Sequence, residues 1–172
     1  MNFKIGAMVE PFRLDTFDAM PPLLHRATGP VGAAILSDAY AQVICDGRHI
    51  DRAAIIALYR IFGADRMILI SDSMQATGLG DGEYIFGGLK VTVNDGVARC
   101  RDGRLAGSTA TLFECVKKAI KFGIPESDAF KMASETPARL LGLKKGRISE
   151  GYDAEFIVVS DGGELVDTLI FN

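Results

Sequence analysis

Histidine is scarce in this chain. Only His25 and His49 occur in 172 residues, and there is no His-x-His or His-Glu-x-x-His element. That excludes a self-contained, histidine-rich metal centre, although aspartate and glutamate remain available as ligands. Cysteine is equally sparse: Cys45, Cys100 and Cys115 are widely spaced, odd in number and lack a Cys-x-x-Cys pair. A disulfide frame and a zinc knot are both excluded, and reduced thiols are expected. The longest apolar runs, such as Met67 to Ile70 and Phe156 to Val159, fall far short of the roughly 20 residues that cross a bilayer as a helix. No block of like charge occurs either. The net charge of −3 arises from interleaved charges, so neither nucleic acid nor an anionic membrane is an expected partner. The start, Met1 to Gly6 followed by Glu10 and Arg13, does not read as a signal peptide, and a cytoplasmic location is the expectation.

Apolar material, by contrast, is ample. Hydrophobic residues make up 48% of the chain, and glycine and proline are spread along it rather than pooled in linkers. One compact unit is expected. Ala39 to Asp46 reads as a strand. Asp51 to Phe62 places Ala54, Ile55, Leu58, Ile61 and Phe62 on one helical face and stops at Gly63. Met67 to Ile70 is a continuous apolar run of the kind buried on both faces of a parallel sheet. Together these three segments predict a βαβ unit. Short β-type pieces at Tyr84 to Phe86, Leu89 to Val93 and Val97 to Cys100, with the turn Asn94-Asp95-Gly96, predict an inserted hairpin. A helix is expected from Ser108, with Thr111-x-x-Glu114 as a capping box and a stop at Gly123. A third helix follows Pro125, a short one covers Pro137 to Leu141, and strands are expected at Phe156 to Val159 and Val166 to Phe171.

Strand ends supply the candidates for chemistry. Asp72 follows Ile68-Leu69-Ile70-Ser71, and in parallel α/β folds the carboxyl ends of strands face the ligand. The plainer alternative is an aspartate that caps a turn. His49, in Cys45-Asp46-Gly47-Arg48-His49, is either a substrate ligand or a loop histidine bonded to a backbone carbonyl. Arg26 sits in a proline-marked loop before Gly29; its planar fork suits phosphate, and the alternative is an ordinary surface charge. Leu105-Ala106-Gly107-Ser108 precedes the predicted helix, where its backbone could meet a polar ligand near the helix N-terminus or serve simply as an N-cap.

In order and spacing, four stretches resemble one family: Phe17-Asp18-Ala19-Met20-Pro21-Pro22 with Arg26, Ile44 to His49, Leu69-Ile70-Ser71-Asp72, and Leu105 to Ser108. The family is that of the N-acetylglucosamine-6-phosphate deacetylases, in the amidohydrolase superfamily. The resemblance runs from about residue 14 onward, and Gly146 to Glu155 is similar to the stretch by which many amidohydrolases return from barrel to small β-sandwich. It implies an α/β fold: a partial (β/α)8 TIM barrel over residues 1–145 carrying the hairpin, and strands of a small β-sandwich over 146–172. It further implies a metal-dependent hydrolase that removes acetate from the 2-acetamido group to give glucosamine 6-phosphate. In that scheme Asp72 is the acid/base. His49 holds the carbonyl region, Arg26 contacts the phosphate, and Asp18, Ala19, Leu105, Ala106 and Gly107 contact the sugar phosphate. A divalent zinc or iron ion is the implied cofactor.

Two departures qualify that scheme. Where the family reads Thr-His-Leu-Phe-Asn-Ala-Met, this chain reads Leu14-Asp15-Thr16-Phe17-Asp18-Ala19-Met20. Asp15 therefore stands at the position of a metal-binding histidine, as a substitute carboxylate ligand, and Asp18 replaces the asparagine. The family's first barrel strands and its other metal ligands precede this region, and a complete barrel takes about 250 residues. A partial barrel with an open strand edge is expected, and with it either a homo-oligomer, a dimer, or a missing partner segment. The alternatives to an active deacetylase are a catalytically dead sugar-phosphate-binding fragment and an amidohydrolase acting on a different amide.

Overall fold

The computed structural model describes residues 20–171. At its centre lies a parallel pair of strands, β1 (Ala41–Ile44) and β2 (Met67–Ile70), with Ala41 opposite Met67 and Ile44 opposite Ile70. Helix α2 (Arg52–Arg66) connects them, forming the expected βαβ unit. Its N-terminus is fixed by the Asp51 carboxylate, which accepts from the Ala53 amide at 2.7 Å. Gly63 breaks the helix at φ 63°, ψ 173°, a backbone region essentially restricted to glycine. The predicted stop is thus a kink, after which the chain makes one more turn into β2.

β2 is buried on both faces over Met67 to Leu69, as its unbroken apolar run requires, and β1 is buried at every position but Gln42. Val43, Cys45, Met67 and Leu69 pack with Ile55, Leu58, Cys115, Ala119 and Met132 into the main core, while Ile44 and Ile68 are buried on the opposite face. Helix α2 covers the core face together with α3 (Leu112–Phe122) and α4 (Glu126–Ala133), and α5 (Glu135–Leu141) follows α4. Thr111 caps α3 in a complete capping box with Glu114, and Gly123 ends it in the left-handed conformation. The helix therefore starts four residues later than Ser108, so Leu105 to Gly107 do not lie at its N-terminus. The buried Thr136 hydroxyl ties α5 to the end of α2 by donating to the Ala64 carbonyl at 2.6 Å.

The inserted region has three strands rather than the two of a hairpin. β3 (Gly82–Phe86), β4 (Leu89–Asn94) and β5 (Val97–Cys100) form an antiparallel meander. Asp95 and Gly96, at φ 50° and 66°, make its two-residue turn. Met74, Ala76, Val91, Val93, Ala98 and Ala106 give it a core of its own. A further helix, α1 (Gly29–Ile35), precedes β1 and was not anticipated. β6 (Ala154–Val159) and β7 (Leu165–Phe171) close the chain as an antiparallel ribbon. Gly146, on the approach to that ribbon, lies against the α4–α5 junction so tightly that a Cβ would sit 2.5 Å from the Glu135 nitrogen. The architecture is α/β with one parallel and two antiparallel sheets, and no closed barrel forms among the described residues.

Candidate active site

The carboxyl ends of β1 and β2 lie side by side, joined beyond the last strand pair by the Cys45 amide donating to the Ile70 carbonyl at 3.3 Å. Asp46 and His49 emerge from one strand end, Ser71, Asp72 and Ser73 from the other. A chain leaving a buried parallel strand must turn at once to clear the sheet, and Asp72 does so at φ 47°. That conformation costs an ordinary L-residue about 1–2 kcal/mol, but aspartate is among the few non-glycine residues that visit it.

Two backbone hydrogen bonds fix the turn. The Ser108 amide donates to the Asp72 carbonyl and the Met74 amide donates to the Ser108 carbonyl, both at 2.8 Å. They bring Gly107 against Asp72: a Cβ on this buried glycine would lie 3.1 Å from the Asp72 carbonyl oxygen and 3.6 Å from its Oδ2. The Ser73 hydroxyl contacts the Ser71 hydroxyl at 2.7 Å and donates to the Ala110 carbonyl at 2.6 Å. Asp72 thus sits on a rigid turn beside Ser71 and Ser73, opening onto a cleft of about 560 Å³ whose wall includes Ile70, Leu112 and Leu141. A carboxylate there can accept a proton from a nucleophile and return it to a leaving amine.

At the neighbouring strand end, His49 Nδ1 lies 2.7 Å from Asp46 Oδ2, and both side chains are nearly buried, at 3% and 5% exposure. The other oxygen, Oδ1, accepts from the Arg48 and His49 amides at 2.9 and 3.0 Å. Burial opposes ionisation of Asp46, but the His49 ring and the two amides outweigh it and hold the carboxyl below its usual range. Neither sequence reading of His49 foresaw this partner; Asp-x-x-His across a turn was the available signal, since aspartate commonly bonds the backbone just ahead of it. Beneath the loop, the Cys45 and Cys115 thiols are pushed up to about 12, chiefly by burial, and are inert core groups.

The other candidates are placed differently. Ala106 is buried and gives its amide to the Ala98 carbonyl at 3.1 Å, and Leu105 bridges Arg99, so Gly107 is the part of the segment that reaches Asp72. Arg26 is exposed in a tight turn closed by reciprocal Leu24–Ala27 hydrogen bonds. Asp15, Asp18 and Ala19 lie outside the described residues. Among the described residues no three of His, Cys, Asp and Glu gather as a metal would require. They do not by themselves fit a divalent ion.

Residues 66–171 match the amidohydrolase family. An N-acetylglucosamine-6-phosphate deacetylase of Vibrio furnissii is 38% identical over 158 residues, 90% of this chain and 39% of that protein. The chain spans about two fifths of the length of the first such curated relatives. An Escherichia coli protein, named provisionally as an N-acetylgalactosamine-6-phosphate deacetylase, is 35% identical over 85% of this chain and 89% of its own length. The crystal structure of N-acetylglucosamine-6-phosphate deacetylase from Thermotoga maritima superposes with a TM-score of 0.85 at 36% identity, covering 91% of this chain and 44% of that one. That from Pasteurella multocida gives 0.86 at 31% identity, over 91% and 42%. By these likenesses in sequence and fold, the chain belongs to the N-acetylglucosamine-6-phosphate deacetylase family of the amidohydrolases.

Proposed function

We propose that this chain carries the proton-transfer and substrate-facing part of a deacetylase that cleaves the 2-acetamido group of N-acetylglucosamine 6-phosphate to acetate and glucosamine 6-phosphate. The observation that carries this reading is Asp72, held on a strand-end turn against Gly107 and open to a cleft. Asp72 accepts a proton from the attacking water and delivers it to the departing amine. His49, steadied by Asp46, orients the amide carbonyl, the Gly107 backbone borders the sugar, and Arg26 meets the phosphate. Asp18 and Ala19 contact the sugar phosphate as well. Residues 1–145 are read as part of a (β/α)8 barrel and 146–172 as strands of a small β-sandwich, in a cytoplasmic homo-oligomer. The divalent metal of the family would need donors beyond the described residues, Asp15 among them, and the chemistry assigned here is that of the side chains alone.

One observation favours a second reading, a chain that binds the sugar phosphate without turning it over: no cluster of metal donors forms among the described residues. Two measurements on one preparation decide. Acetate release from N-acetylglucosamine 6-phosphate, abolished in Asp72→Asn, supports the deacetylase; binding of the same compound with no release supports the second reading. A panel of other amides, including N-acetylgalactosamine 6-phosphate, fixes the substrate.

A further inference from the structure

A second, cationic cleft is left unused by this chemistry. It measures about 370 Å³ and lies between the loop after β1 and the flank of α3, walled by Arg48, Lys117, Lys118 and Lys121 with Asp46 and Glu114. It shares no lining residue with the cleft at Asp72. Both acidic groups are already engaged: Asp46 accepts from the His49 ring and two amides, and Glu114 accepts from the Thr111 amide and hydroxyl. Lys117 pairs with Glu164 at 3.4 Å. Arg48, Lys118 and Lys121 have no carboxylate within ion-pair distance among the described residues.

Four cations thus converge with only two carboxylates, both already hydrogen-bonded, leaving an excess of positive charge in the cleft of a protein whose net charge is −3. Lys118 and Lys121 are three residues apart on α3, and Lys117 and Lys121 four, spacings at which like charges face one another and repel. Lys118 is also positioned by packing, its stem lying 3.1 Å from where a Cβ on Gly47 would be. A concave wall with an excess of one sign focuses its field on whatever enters, and ammonium and guanidinium groups together suit phosphate oxygens. None of the lining residues is aromatic, so the stacking platform of a nucleic-acid strand is missing.

We propose that this cleft binds a small phosphate-bearing anion carrying more than one negative charge, separately from the Asp72 site. The Arg48 amide belongs to the turn that holds Asp46 and His49, so an anion gripped by the Arg48 side chain also steadies His49.

Calorimetric titration of the full chain at low salt with pyrophosphate, orthophosphate and glucose 6-phosphate tests this, the three arms separating free from esterified phosphate. Saturable binding of at least one, one per chain, is expected. It should weaken at least tenfold in Lys118→Gln/Lys121→Gln and remain unchanged in Asp72→Asn. Arg48→Gln, a change at an exposed side chain, gives the same reading should the double variant fail to fold. Absence of saturable binding to the wild type, equal affinity in the folded lysine and arginine variants, or loss of binding in Asp72→Asn would each overturn the proposal. Because the readout is binding, an inactive preparation bears on the deacetylase reading and not on this one.

Discussion

Asp72 and Gly107 depend on each other. The glycine has φ +68°, and a methyl group there would press on the Asp72 carbonyl oxygen at 3.1 Å and the Met74 Cβ at 3.3 Å. Gly107→Ala is expected to lower stability by about 1–3 kcal/mol and to displace the carboxylate, read as a drop in melting temperature and in kcat together. Asp72→Asn should behave otherwise, because asparagine also tolerates the left-handed turn: turnover falls by about 10²–10⁴-fold with the melting temperature nearly unchanged. The Asp46–His49 pair gives a pH signature. Since the carboxyl of Asp46 is held below its ordinary value in the folded state, its contribution to stability is present above the unfolded value of about 4 and is lost as pH falls through the folded one. The melting temperatures of wild type and Asp46→Asn, well separated at pH 7, should therefore converge as the solution is acidified below about pH 4. A gap that widens on acidification would refute the assignment.

Among the elements, α3 tests local encoding and Gly146 tests tertiary packing. Thr111→Ala removes the side-chain cap, in which the hydroxyl accepts from the Glu114 amide at 3.2 Å, and is expected to cost about 1 kcal/mol, restored by Thr111→Ser. Gly146→Ala should cost more, about 2 kcal/mol or above, because a left-handed φ coincides with a backbone clash; urea denaturation checks both. The two residues also mark what could be read in advance. The capping box was legible because both of its members lie within one turn, and the βαβ unit because a 3.6-residue period sat between two apolar runs. The join of Asp72 to Ser108 was not, since nothing in either segment announces a partner on the far side of three strands. Helix α1 was missed for a related reason: Gly29, Pro30 and Gly32 are poor helix formers, and burial of Val31 and Gly32 sustains it instead. The cationic cleft likewise unites a loop and a helix that are far apart in the sequence.

At the scale of the whole molecule, β2 pairs on one side only among the described strands, and the β6–β7 ribbon leaves Leu165, Val166, Ile170 and Phe171 exposed. An open edge and uncovered apolar strands favour association. Sedimentation equilibrium at micromolar concentration is expected to show a dimer or larger species, and a monomer across the accessible range would contradict the proposed homo-oligomer.

The meander β3–β5 is different in kind. Its ends meet where Met74 and Ser108 hydrogen-bond, and its core belongs to it alone. It is a separable cassette: new chain termini could be opened at Asp95-Gly96, with α3 and the parallel strands left where they are. Deleting it outright would remove Gly107 together with the Met74 and Ser108 partners of the two hydrogen bonds that fix the Asp72 turn, so the insertion offers a handle on substrate choice only through its outer strands, with that closing pair kept.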